Sequence, residues 1–132
     1  MRQPASIADP YGMQIRCVII DDNPSFLDAA TELLDREGIE VVAAASTSAD
    51  AIRLVGELRP DVTLVDIDLG DENGFELVRR LSNGLAASSK VILVSTHSEE
   101  ELGELIAASP ALGFIAKTRL SAQAIDDLLD GS

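Results

Sequence analysis

Ile15-Arg16-Cys17-Val18-Ile19-Ile20 runs directly into Asp21-Asp22, and that junction decides the fold. A short apolar run bounded by polar residues reads as a strand covered on both faces, the condition of a parallel strand beneath helices. The pattern recurs. Val62-Thr63-Leu64-Val65 ends at Asp66, and Leu112-Gly113-Phe114-Ile115-Ala116 ends at Lys117. Ile39 to Ala44 and Lys90 to Val94 are two further runs of the same kind. In an open parallel sheet, ligands bind beyond the carboxyl ends of the strands. The charges that end these runs are predicted to lie there. Carboxylates held ~4 Å apart at an effective dielectric near 20 repel by roughly 4 kcal/mol per pair. A divalent metal and a lysine ammonium would relieve that repulsion.

Helix signals fall between the runs. Asn23 is a good N-cap and Pro24 suits a first helical position. Leu27, Ala30, Leu33 and Leu34 then form an apolar stripe that Gly38 terminates. Thr47 or Ser48 caps a second helix with Ile52, Val55 and Leu58 inward, stopped by Pro60. Gly70-Asp71-Glu72-Asn73-Gly74 is a loop leading to a short helix through Leu81. Ser98-Glu99-Glu100-Glu101 is a capping box with acids in the first turn, where the helix dipole favours them. That helix carries Leu102, Leu105 and Ile106 and closes at Pro110. Ser121 caps a last helix with Ile125, Leu128 and Leu129 inward. Strand and helix alternate throughout, so the expected fold is a doubly wound α/β sandwich.

The composition narrows function. The chain has 132 residues, one domain by length. Its formal net charge is -13, with few and scattered basic residues, which disfavours direct binding to nucleic acid or anionic membranes. No apolar stretch approaches the ~20 residues of a membrane span. Residues 1–12 contain Pro4 and Pro10 and little periodicity, and they read as a flexible N-terminal extension without a signal-peptide core. The single cysteine, Cys17, lies within an apolar run as a reduced buried residue, which fits a cytoplasmic protein.

The acidic pair Asp21-Asp22, Asp66, Ser95, Phe114 and Lys117, in this order and each in or at the end of a strand, resemble a response-regulator receiver domain of two-component signalling. The domain is read over residues 13–132, as a stand-alone regulator or an excised piece. The resemblance implies a flavodoxin-like (βα)5 three-layer sandwich with parallel strand order 2-1-3-4-5. It implies a regulatory, not enzymatic, domain in which Asp66 accepts a phosphoryl group from a histidine kinase or phosphotransfer protein. Mg2+ would be held by Asp21, Asp22 and Asp66, with the backbone carbonyl of Asp68 as a further ligand. Lys117 would pair with Asp66 at rest and with a phosphoryl oxygen afterwards. Ser95 would donate to another phosphoryl oxygen, and Phe114 would swing inward with it. The signal would pass to a downstream protein, or to a second copy in a homodimer, through the fourth helix, fifth strand and fifth helix.

The chain also departs from that family. Thr118 stands after Lys117 where the family places proline with a cis bond, a geometry costing ~2.5–4 kcal/mol without proline. Thr96 follows Ser95 where a smaller residue is usual, and it is expected to narrow access to Asp66 and slow self-dephosphorylation. His97, the one histidine, is expected to be an exposed loop residue in preference to one acting at the phosphoryl group. Gly70 replaces a common proline and is expected to loosen its loop. Two other readings use the same residues. Asp66-Ile67-Asp68 resembles the DxD of haloacid-dehalogenase-type phosphatases, with Asp68 on the same face as Asp66 by strand alternation. A receiver-like interaction module that is never phosphorylated would keep the fold alone.

Overall fold

A computed structural model describes residues 14–83 and 90–131. The N-terminal extension expected over residues 1–12 lies outside them. Five strands form one parallel sheet: β1 (Arg16–Ile20), β2 (Glu40–Ala45), β3 (Val62–Asp66), β6 (Lys90–Ser95) and β7 (Gly113–Ala116), in the order β2-β1-β3-β6-β7. This is the 2-1-3-4-5 order once the small hairpin of β4 (Asp68–Leu69) and β5 (Glu72–Asn73) is set aside. The helices are α1 (Pro24–Arg36), α2 (Ser48–Leu58), α3 (Gly74–Asn83), α4 (Glu99–Ala108) and α5 (Ala122–Asp130).

Strand alternation builds two cores, one on each face of the sheet. Cys17, Ile19, Leu64, Ile92 and Val94 pack with Ala30 and Leu34 of α1 and Ile125 of α5. Val18, Ile20, Val65 and Leu93 pack with Val55 of α2 and Leu77, Val78 and Leu81 of α3. Complete burial of a Leu, Ile or Val side chain contributes roughly 1.5–3 kcal/mol, so the apolar runs that marked the strands also supply the cohesion of the sandwich. Leu102 and Ile106 of α4 pack on the second core, whereas Leu105 points outward and is 56% exposed.

The capping signals act as their chemistry requires. Asn23 Oδ1 accepts from the backbone N–H of Ser25 and Phe26, and Thr47, not Ser48, caps α2. Ser98 and Glu101 complete the reciprocal box at α4, and Ser121 caps α5. Two caps come from distant residues. Glu72 Oε1 accepts from Ser48 N–H at 2.8 Å, tying the small hairpin to α2, and Glu37 Oε1 accepts from Ala122 N–H at 2.7 Å, tying α1 to α5.

The loop expected at Gly70–Gly74 contains the hairpin and is tight. Gly70 sits at φ +63°, which proline cannot adopt, in the two-residue turn joining β4 to β5. Any Cβ there would lie 2.9 Å from Asp22 Oδ2. The glycine here lets backbone press against Asp22.

Candidate functional site

Asp21 immediately follows β1, and its backbone N–H still donates to Ala45 of β2 at 3.0 Å, so the sheet fixes it. Its side chain is wholly buried. Oδ1 accepts from Asn23 N–H at 2.9 Å. Oδ2 meets the Lys117 ammonium at 2.6 Å as a charge contact but has no well-aligned hydrogen-bond donor among the described residues. Asp66 is the last residue of β3, paired in register with Val94, and is 4% exposed. Its Oδ1 accepts from Asp68 N–H at 3.2 Å, and its Oδ2 lies 3.4 Å from the Lys117 ammonium. Asp22 is exposed at the mouth. One oxygen from each of Asp21, Asp22 and Asp66 falls within 4.8 Å of the others.

Lys117 begins a short 3-10 turn, Lys117–Arg119, directly after β7. No cis peptide bond occurs among the described residues, so Thr118 follows Lys117 through a trans bond and the turn supplies the change of direction. The ammonium faces Asp21 more closely than Asp66, where sequence reasoning paired it with Asp66. It also lies 4.4 Å from the centroid of the Phe26 ring, within cation–π range. Phe26 had no signal in the sequence beyond its place in the first turn of α1. Its contact with Lys117 joins two ends of the chain and has no local period.

The electrostatics follow from one ammonium shared by two buried carboxylates, with a third close by. Burial first, then the neighbouring Asp21 charge, raises the Asp66 pKa to about 6, against the opposing pull of Lys117. Burial lowers the Lys117 pKa, but contact with Asp21 and the charges of Asp66 and Asp21 more than offset it, so the ammonium is held above its ordinary value. Such a pocket of hard oxygen donors, with a buried carboxylate oxygen lacking an aligned donor, suits a small divalent cation.

The remaining candidates divide. Ser95 ends β6, pairs in register with Ala116 and is fully buried. Thr96 is exposed beyond it. The Asp68 side chain leaves the pocket: the residue opens the hairpin, its carboxylate is 66% exposed, and Oδ2 lies 3.5 Å from His97 Nδ1. Strand alternation had placed it beside Asp66. The hairpin ends that alternation, leaving its backbone, not its carboxylate, beside the acidic cluster. His97 is half-exposed, as expected, yet it touches both Ser95 and Asp68. Phe114 in β7 is partly buried and lines an open groove of about 510 Å³ with Ser98, Arg119 and Leu128. Gly74 was also missed: a Cβ there would collide with the Asp66 carbonyl and Ile67 Cα, so α3 starts hard against the strand end that carries Asp66.

Comparison with known proteins sets this geometry in a family. The model of the response regulator receiver domain matches residues 17–129. The chain is 30% identical over 103 residues to the DNA-binding transcriptional activator EvgA of Escherichia coli K12, a match covering 78% of this chain and 50% of that protein. It thus spans about half the length of that curated relative. Among solved structures, it is similar to a LuxR-family two-component response regulator from Aurantimonas, with TM-score 0.80 and 25% identity over 90% of this chain and 87% of that one. The signal receiver domain of the putative response regulator NarL from Mycobacterium tuberculosis superposes with TM-score 0.77 and 25% identity, covering 89% and 95% of the two chains. No helix among the described residues is long and apolar enough to cross a membrane.

Proposed function

The chain belongs to the response regulator receiver domain family, and on that premise we propose that Asp66 is its phosphoacceptor. The observation that carries the reading is the meeting of Asp66 with Asp21, Asp22 and Lys117 at the carboxyl edge of the sheet. A carboxylate oxygen of Asp66 attacks the phosphorus of a phosphohistidine donor. The new O–P bond forms as the P–N bond breaks, and the donor imidazole leaves. Phosphoryl transfer asks the protein for positioning and charge neutralisation above all. Asp66 is fixed by its place in β3 and by the Asp68 N–H. Lys117 moves part of its attraction from the carboxylates to a phosphoryl oxygen. Ser95 donates its hydroxyl to another.

Asp21, Asp22 and Asp66, with the Asp68 carbonyl, are the residues that would hold Mg2+. When bound, the ion supplies positive charge to the carboxylates and the transferring phosphoryl group. Thr96, exposed beyond Ser95, limits the approach of water to the phosphorylated state. The acidic character of the chain and the family reading favour output by protein contact, through the face of α4, β7 and α5 where Phe114 lines its groove and Leu105 is exposed. Filling of space behind a displaced Ser95 by Phe114 would bias an existing two-state equilibrium.

Neither other reading gains support. A haloacid-dehalogenase-like phosphatase needs Asp68 as acid/base, and its carboxylate faces His97 and solvent. An unphosphorylated module has no use for a lysine held among buried carboxylates. Phosphoryl transfer from a phosphorylated histidine kinase domain, measured with Mg2+ and with chelator, tests the proposal. Transfer is expected with Mg2+ and lost in Asp66→Asn. Equal transfer to the Asn variant would overturn it.

A further inference from the structure

His97 is the one histidine of the chain, and it joins two loops. Its backbone N–H donates to Ser95 Oγ at 3.0 Å. Its ring Nδ1 lies 3.3 Å from the same oxygen and 3.5 Å from Asp68 Oδ2. The nearby Asp68 carboxylate favours one tautomer. An ionised carboxylate accepts and cannot donate, so the ring nitrogen facing it carries the proton. The same Nδ1–H then faces Ser95. The backbone N–H donates to the Ser95 oxygen, and a ring Nδ1–H shared between Ser95 and Asp68 as a three-centre contact leaves the single Ser95 proton to be donated elsewhere. Ser95 is fully buried, so bulk water does not take that proton freely.

We propose that His97, oriented by Asp68, is a positioning residue that presents the Ser95 hydroxyl as a donor to the phosphoryl group on Asp66. The inference rests on the proposed phosphoacceptor role of Asp66 and adds a determinant to it. It also gives the Asp68 side chain a task different from metal binding or acid/base chemistry. Asp68 N–H holds Asp66 Oδ1 while Asp68 Oδ2 faces His97, so one residue links the acceptor carboxylate to the hydroxyl that would stabilise its product.

Binding of beryllofluoride with Mg2+, a phosphoryl mimic, tests this when followed by backbone amide signals in wild type, His97→Ala, His97→Asn, Ser95→Ala and the Ser95→Ala/His97→Ala double variant. His97→Ala should weaken mimic binding about fivefold, the scale of one lost neutral hydrogen bond. The side-chain amide of His97→Asn can donate from near the Nδ1 site and should restore affinity to within about twofold of wild type. In the Ser95→Ala background, His97→Ala should add nothing, because the two residues act as a unit. Imidazole nitrogen spectra should show an Nδ1–H tautomer in wild type and lose that preference in Asp68→Asn. Unchanged affinity in His97→Ala, an undiminished effect without Ser95, or an Nε2–H tautomer in wild type would each overturn the assignment. Absence of mimic binding in wild type would overturn the phosphoacceptor reading, and wild-type affinity in Ser95→Ala would overturn the role given to Ser95. Both are distinct from failure at His97 alone.

Discussion

At the edge where the strands begin, Arg16 Nη1 donates to the carbonyls of Leu58 at 2.7 Å and Arg59 at 3.3 Å, and Asp61 Oδ2 accepts from Arg16 N–H at 2.8 Å. Those charges are taken up by the backbone of neighbouring turns and strand ends. At the edge where the strands end, Asp21 and Asp66 are buried and share Lys117, with Asp22 close by. Both edges carry charged side chains brought in by the same strands. One arrangement closes loops and is complete; the other leaves carboxylates facing one another. A charge in a fold reads as structural when backbone groups satisfy it. It reads as functional when its nearest partners are like charges that a ligand would reconcile.

The largest effect is expected at Asp22. Asp22→Ala should remove most of the response to millimolar Mg2+, measured as a change in denaturation midpoint or in amide signals, because it deletes one of three clustered carboxylates. A full response in the variant would mean that the ion binds elsewhere. Gly74→Ala comes next. Its Cβ meets backbone of Asp66 and Ile67 that cannot rotate away, so a loss of about 3 kcal/mol in chemical denaturation is expected, along with impaired phosphoryl transfer. A neutral effect would show that α3 does not brace the strand that carries Asp66.

The carboxyl edge should also respond to pH. The folded-state pKa of Asp66 is raised from 3.8 to about 6. Between those values the native state binds the extra proton, so this group's contribution to stability falls as pH rises through the window. Without metal, Asp66→Asn should exceed wild type in stability at pH 7.5 by at most about 2–3 kcal/mol. The gap should shrink as pH falls toward 4, and Mg2+ should narrow it at pH 7.5 by relieving wild type. A gap that widens on acidification would contradict the electrostatic account. The smallest effect is expected at the other edge. Arg16→Ala should cost about 1 kcal/mol in denaturation and leave phosphoryl transfer within twofold of wild type. A large loss of transfer there would show the two edges to be coupled.

The site was legible in the sequence because its residues interrupt apolar runs. Asp21, Asp66 and Lys117 each sit where buried strand gives way to charge, and topology alone carries them to one edge. The helix starts were legible because Asn23, Ser98 and Ser121 act within a few residues of themselves. What escaped depends on contacts between separate elements. The Phe26 ring meets Lys117 from the opposite end of the chain, and no periodicity announces it. Gly70 and Gly74 signalled turns, whereas the close approach to Asp22 and Asp66 that demands glycine is a matter of tertiary distance. Asp68 misled by alternation, because a two-residue hairpin replaces the continuing strand. Leu105 followed the helical stripe by spacing yet faces solvent.

If the carboxyl-edge cluster makes Asp66 the acceptor, the transferred phosphoryl group must be found on that residue. After transfer from a phosphorylated histidine kinase domain with Mg2+, borohydride reduction converts an aspartyl phosphate to homoserine, which peptide mass spectrometry can place. The conversion is expected at Asp66 and should be lost in Asp66→Asn. Conversion at Asp68, or phosphorylated protein with Asp66 unmodified, would contradict that assignment.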